Sequence, residues 1–411
     1  MKKILILLLS AILITVSCEE VVLEGGNSND PENPKEQEDP KDPDDDKKPD
    51  KDAINTLKDA VEAVRPDFEL GVFYSGVEDN IADQTKHDKI VVEQFHGITI
   101  WAGMVSMWHG GDKWRFDEEF MDSRYKYACD NDLIMHIHPL IGPNQYMGWW
   151  LQTTYKRYTK GELQRFMRNY ITTVLERYPE AQYCDVVNEA IEGLTPSGET
   201  KWANDKTPWI DMGWYDDIEG GIPQYMIDAY AIAREVRPDM KLIYNENTNS
   251  MANVPKAQAC YKAIVAMKNA GAEIDAVGMQ MHLRKVNNRI AESYTYYFDI
   301  DQFNEMVDMY ADIGVEVYIT EFDLELGQYP NERDFMIQGQ TYADVLVAAL
   351  SNPNVKGFTT WGLGDKYSWV RDWVKGDNGF PFNCQPLMYD MNLEPKDAYT
   401  MSLEAVKEMI K

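Results

Sequence analysis

Eight short apolar runs, each separated from the next by a connecting stretch in which helical patterning recurs, constrain this chain more than any other feature. They are "FELGVFY" (68–74), "HGITIWAG" (96–103), "LIMHIHPL" (133–140), "YCDVVN" (183–188), "KLIYN" (241–245), "DAVGMQMH" (275–282), "VEVYITEF" (315–322) and "KGFTTWG" (356–362). Short runs that are apolar on both faces suit parallel strands buried by flanking helices. Between the third and fourth runs, Leu163, Phe166, Met167, Tyr170, Ile171, Val174 and Leu175 recur at spacings of three and four and draw one helical face. "LKDAVEAV" (57–64) predicts a leading helix, and Gly271 and Gly314 stop helices over 256–271 and 300–314. Eight strands alternating with helices predict an α/β fold, a single (β/α)8 TIM barrel over residues 53–411.

Residues 1–52 stand outside that pattern. "MKKILILLLSAILITVS" (1–17) has two lysines, an apolar run and small polar residues, a secretory signal pattern too short for a membrane span. Cys18 follows at the cleavage point, as in a bacterial lipoprotein signal, although Thr15 stands where such signals carry Leu. A lipidated Cys18 predicts secretion across the inner membrane and anchoring at the cell surface or outer membrane. Residues 18–52 are acidic and Pro-rich, and their stretch 28–52 has no apolar residue to offset ordering entropy, so a disordered tether is expected. The remaining cysteines, Cys129, Cys184, Cys260 and Cys384, are widely spaced, carry no metal signature and predict buried free thiols. A net charge of −29 excludes nucleic acid and anionic membrane as working partners. Eleven Trp and 24 Tyr suit flat, neutral, ring-shaped ligands. The chain is expected to be a monomer without cofactor or metal.

Barrel sites lie at the C-terminal ends of the strands. Asn188 and Glu189 end the fourth run, Gln280 and His282 the sixth, Glu321 the seventh and Trp361 the eighth. Two carboxyls across such a mouth are the minimum equipment for cleaving an acetal: one protonates the leaving oxygen, the other attacks the anomeric carbon. An Asp323–His282–Glu321 network would keep Glu321 ionised, which suits the nucleophile, and leaves Glu189 as acid/base. Asn188 can donate to the sugar 2-hydroxyl. A double displacement requires the two carboxyls roughly 5–5.5 Å apart.

The motifs "DVVNEA" (185–190), "IDAVGMQMHL" (274–283), "VYITEFD" (317–323), "TTWGLGDKYSW" (360–369) and "PLMYDMNLEPKDAY" (386–399) occur in one order around these strands. "REVRPDMKLIYNE" (234–246) leads into the fifth. Here the chain resembles glycoside hydrolase family 10, the barrel xylanases, from about residue 53 to the C-terminus. The resemblance implies a retaining endo-acting hydrolase, Glu189 as acid/base, Glu321 as nucleophile, and substrate contacts from Asn188, Gln280, His282, Trp361 and Trp369. His138 and Asn245 join the substrate-binding candidates.

Departures from the family are equally specific. Its second strand leads into a Glu, Asn and Lys set for the distal glycone sugar, where this chain has Trp101, Ala102 and Val105. After the third strand His138, Gln145 and Trp149 fit, but Gly142 and Pro143 replace Trp and His. Lost hydrogen-bonding groups change sugar discrimination strongly. A different or decorated glycan is therefore a competing reading, with Trp101 a new stacking face or simply packed on the barrel wall. A surface glycan-binding protein without turnover is a third reading, against which both carboxyls stand. The segment 193–217 carries Trp202, Trp209, Trp214 and Tyr215, of which at least one is expected to line the leaving-group side. Lys366 and Arg371 are candidates to face an acidic decoration.

Overall fold

A computed structural model describes residues 51–74, 81–102, 118–142, 159–203, 207–293, 295–327, 329–370 and 384–410. Eight parallel strands form the frame: β1 (Glu69–Phe73), β2 (Gly97–Trp101), β3 (Ile134–His138), β4 (Tyr183–Asn188), β5 (Lys241–Glu246), β6 (Ala276–Met279), β7 (Glu316–Glu325) and β8 (Val355–Thr360). Each pairs with its neighbour in chain order, and β8 pairs back onto β1 with Glu69 opposite Gly357. The sheet is a closed (β/α)8 barrel, and all eight strands fall on the apolar runs.

Nine α-helices accompany these strands among the described residues: α1 (Leu57–Val64), α2 (Ile81–Gln94), α3 (Glu118–Asp130), α4 (Lys160–Arg177), α5 (Gln224–Val236), α6 (Pro255–Asn269), α7 (Ile300–Asp312), α8 (Glu332–Ser351) and α9 (Asp397–Lys407). In α4 the predicted stripe is the buried one: Leu163, Met167, Tyr170, Ile171, Val174 and Leu175. Thr159 and Glu162 close a capping box at its start, as Asn331 and Asp334 do for α8, each such cap contributing about 1 kcal/mol.

Two local features position the mouth. β7 runs past the barrel rim, and its extension pairs with a short strand His282–Val286, setting Asp323 opposite His282. Gly278 in β6 makes room for the neighbouring strand: a Cβ there would sit 2.1 Å from Asn245 Oδ1. Farther out, Lys396 donates to buried Asp365 (2.9 Å) and to the carbonyls of Gln385 and Leu387. Asp365 also accepts from Leu387 N–H at 2.9 Å, so the segment after β8 is tied to the C-terminal stretch that leads into α9.

Candidate active site

Glu189 and Glu321 stand at opposite ends of one hydrogen-bonded chain of amides. Gln280 donates to Glu189 Oε1 (3.0 Å) and to Asn188 Oδ1 (3.3 Å). Asn245 donates to the same Asn188 oxygen (2.9 Å) and to Glu321 Oε1 (2.7 Å), with its own carbonyl fixed by Thr320 Oγ1 at 2.6 Å. Because Asn188 Oδ1 takes both donors, Asn188 Nδ2 is left buried with no partner among the described residues, a donor available to a ligand hydroxyl. Glu189 is half-buried and Glu321 buried. The backbone is strained at two of these strand ends: Glu189 has φ 53° and Met281 φ 54°, conformations disfavoured for side-chain-bearing residues and characteristic of functional sites.

Glu321 is surrounded by imidazoles. His282 Nε2 lies 3.0 Å from Glu321 Oε2, and His282 Nδ1 lies 3.0 Å from Asp323 Oδ1. The anticipated Asp323–His282–Glu321 contacts are therefore in place. Asp323 Oδ2 also accepts from the Trp369 indole at 2.7 Å, which pins that ring against His282. Burial opposes a charge on His282, but Asp323 and Glu321 outweigh it and carry its pKa up to about 10. The imidazole is thus a cation at neutral pH, set against Glu321 Oε2.

That shift has a stability consequence. With the folded value raised above the ordinary 6.5, the stabilisation is complete below about pH 6.5 and is lost as pH rises through about 10. Melting temperature is expected to fall over that window, and more steeply in the wild type than in His282→Gln. Parallel slopes would show that His282 does not carry the linkage.

Three contributors, Asp185, His136 and Phe73, escaped the sequence reading of this region. His138 Nδ1 lies 2.6 Å from Asp185 Oδ2, and His136 Nε2 lies 2.9 Å from Asp185 Oδ1, while His138 Nε2 stands 3.8 Å from Glu321. Asp185 is buried, which alone would raise its pKa, but the two imidazoles hold it below the usual carboxylate range. Burial likewise opposes charge on His136, and Asp185 with Glu69 and Glu321 holds it above its usual value. Two histidines two residues apart on a barrel strand share a face, so the pair His136 and His138 was the available signal. Phe73 is the third: its ring stacks on Trp361 at 4.1 Å, covering a face of that indole.

Trp101 meets Phe73 and His138 edge-on at 6.4 and 5.3 Å, and so stands at the mouth beside the site. Within the aromatic loop Trp214 and Tyr215 are half-buried. Trp202 and Trp209 are buried, Trp209 against Phe166 of α4, and Trp214 packs on the core. A short hairpin over 191–202 sets Trp202 opposite Ile191, and Trp209 sits in a 3₁₀ turn over Pro208–Met212. Lys366 pairs with Asp83 at 2.5 Å. Cys184 and Cys260 are buried free thiols and Cys384 is buried, whereas Cys129 is exposed. Val105, Gln145, Trp149, Arg371, Pro143 and Cys18 lie outside the described residues.

A closed parallel barrel carrying two amide-linked carboxyls at the C-terminal mouth of its strands defines the class: a glycoside hydrolase of the (β/α)8 type. Residues 60–405 match the model of Glycosyl hydrolase family 10, and the chain belongs to that family. It is 27% identical over 343 residues to endo-1,4-beta-xylanase B of Thermotoga neapolitana, covering 81% of this chain and 86% of that one. Endo-1,4-beta-xylanase A of Caldicellulosiruptor saccharolyticus is also 27% identical, over 76% of this chain and 86% of its own. Among solved structures, xylanase 10B from Thermotoga petrophila RKU-1 in complex with xylobiose superposes with a TM-score of 0.71 at 25% identity, over 87% of this chain and 99% of that one. No helix among the described residues is long and apolar enough to cross a membrane.

Proposed function

We propose that the chain is a retaining, endo-acting hydrolase that cleaves β-1,4 linkages within xylan or a xylan-like polysaccharide. The observation that carries this reading is the run Glu189–Gln280–Asn188–Asn245–Glu321, which sets two carboxyls of different environment around one pocket. Glu321 attacks the anomeric carbon while Glu189 gives its proton to the departing oxygen, so the glycosidic C–O bond breaks as a glycosyl–Glu321 ester forms. Glu189, now a carboxylate, takes a proton from water that attacks the same carbon and frees Glu321. Asn188 Nδ2 donates to the 2-hydroxyl through both steps. Gln280, Asn245, His138, Trp361, Trp369 and Trp101 contribute to the walls of the sugar site.

Proton NMR of a xylohexaose digest tests the reading. The β-anomer is expected first, with internal cleavage products preceding xylose; an α-anomer first, or xylose alone, overturns it. Phe73 stacked on Trp361, with Trp101 alongside, favours a second reading in which the mechanism is the same and the glycan is decorated. Running plain and branched xylans and a β-glucan in parallel decides between them. The lipid anchor at Cys18 rests on the leader-like residues 1–17, and metabolic labelling with palmitate tests it.

A further inference from the structure

Bonded to the turn that carries Glu189 is a buried carboxylate that the hydrolytic scheme does not use. Glu246 ends β5 and is fully buried. Its Oε2 accepts from the backbone N–H of Ile191 (3.1 Å) and from the Tyr244 hydroxyl (3.0 Å). Its Oε1 accepts from Asn247 N–H (3.0 Å) and pairs with Lys256 Nζ at 2.8 Å. Lys256, in the first turn of α6, also donates to Asn247 Oδ1 at 2.7 Å. Four donors thus converge on one carboxylate, and one of them, Ile191 N–H, lies two residues along the chain from Glu189.

The turn that carries Glu189 needs such an anchor. A left-handed φ of 53° on a glutamate costs on the order of 1 kcal/mol and persists only where surrounding bonds fix it. Glu189 N–H donates to Asn245 O at 3.0 Å on one side of the turn, and Ile191 N–H donates to the Glu246 carboxylate on the other. The Glu246 carbonyl in turn accepts from Gln280 N–H at 3.2 Å, and the Gln280 amide is the donor that holds Glu189 Oε1. Residue 246 therefore grips both the backbone beyond Glu189 and the strand end that orients its carboxyl. Burial pushes the Glu246 carboxyl above its usual range, Lys256 pulls it back, and the charge of Glu189 adds to the rise, so the two acids lie within electrostatic reach.

We infer that Glu246, held by Lys256, is a positioning residue for Glu189: it fixes the strained turn so that the Glu189 carboxyl meets the departing oxygen. The inference rests on the reading of Glu189 as the acid/base. Proton donation is required by a poor leaving group and dispensable for a good one, so paired aryl β-xylobiosides separate positioning from general damage. With the phenyl glycoside, kcat/KM of Glu246→Gln is expected to fall about 30-fold, and of Lys256→Met about tenfold. With the 2,4-dinitrophenyl glycoside, both are expected to change less than about threefold. Glu246→Asp, which keeps the charge and retracts the oxygens, replaces the amide variant if that variant does not fold, with the same split expected.

Equal losses on both glycosides, or no loss on either, overturn the inference. Glu189→Ala measured alongside keeps the two levels apart. If it shows the leaving-group split and the Glu246 and Lys256 variants do not, only the positioning role fails. If Glu189→Ala lacks the split, the acid/base reading fails with it.

Discussion

Glu321→Gln is expected to lose at least about 10⁴-fold in kcat/KM on xylan and on activated aryl xylobiosides alike. The loss spans both substrates because an amide forms no glycosyl ester, and a good leaving group cannot compensate for a missing nucleophile. Substrate affinity, read by calorimetry with xylohexaose, is expected to stay within about tenfold, since the sugar-binding amides remain. The exchange is not neutral for the fold. Glu321 Oε1 faces the Asn245 donor, which a glutamine carbonyl can still satisfy. Its Oε2 faces His282 Nε2, and there an amide NH₂ would oppose a protonated imidazole. His282 keeps Asp323 as its remaining anion, so about 1–3 kcal/mol of stability is expected to go. Retained turnover of the activated glycoside would remove Glu321 from the nucleophile role.

What could be read in the sequence, and what could not, follows from the range of the interactions. Strand positions were legible because burial on both faces leaves a local signature, a short apolar run, that needs no partner to recognise. The Asp323–His282–Glu321 set was legible because 321 and 323 share a face of one strand and His282 ends the apolar run before it. The Asp185 cluster was not: His136 and His138 lie within an apolar run, and their shared carboxylate comes from the next strand, so the grouping exists only once β3 and β4 are paired. Glu246 was hidden for the same reason, its partners coming from the β4 turn and from α6. Burial of the aromatic rings was equally hard to read. Trp202 and Trp209 sit in a polar, glycine-bearing stretch that reads as an exposed loop, yet a three-residue strand and a single 3₁₀ turn suffice to fold them inward.

Glu189→Ala is expected to divide substrates by leaving group. On xylan, where the departing oxygen is an alkoxide unless protonated, kcat/KM falls by about 10²–10⁴-fold. On a 2,4-dinitrophenyl xylobioside the first step needs no proton, so glycosylation continues and the glycosyl–Glu321 ester builds up, because no base remains to activate water. A burst of dinitrophenolate followed by a slow steady rate is the expected trace. The alanine also vacates the position to which Gln280 donates, leaving a polar recess beside Asn188. A small anion such as azide can enter it and attack the ester without base assistance, giving a glycosyl azide of β configuration and restoring the steady rate. The geometry makes the choice of face strict: Glu189 and Glu321 are linked through three amides, two on β4 and β5 and one just past β6, so the anion arrives on the side opposite the ester. An α-configured azide, or rescue of Glu321→Gln and not of Glu189→Ala, would exchange the two roles and with them the direction in which the chain threads the mouth.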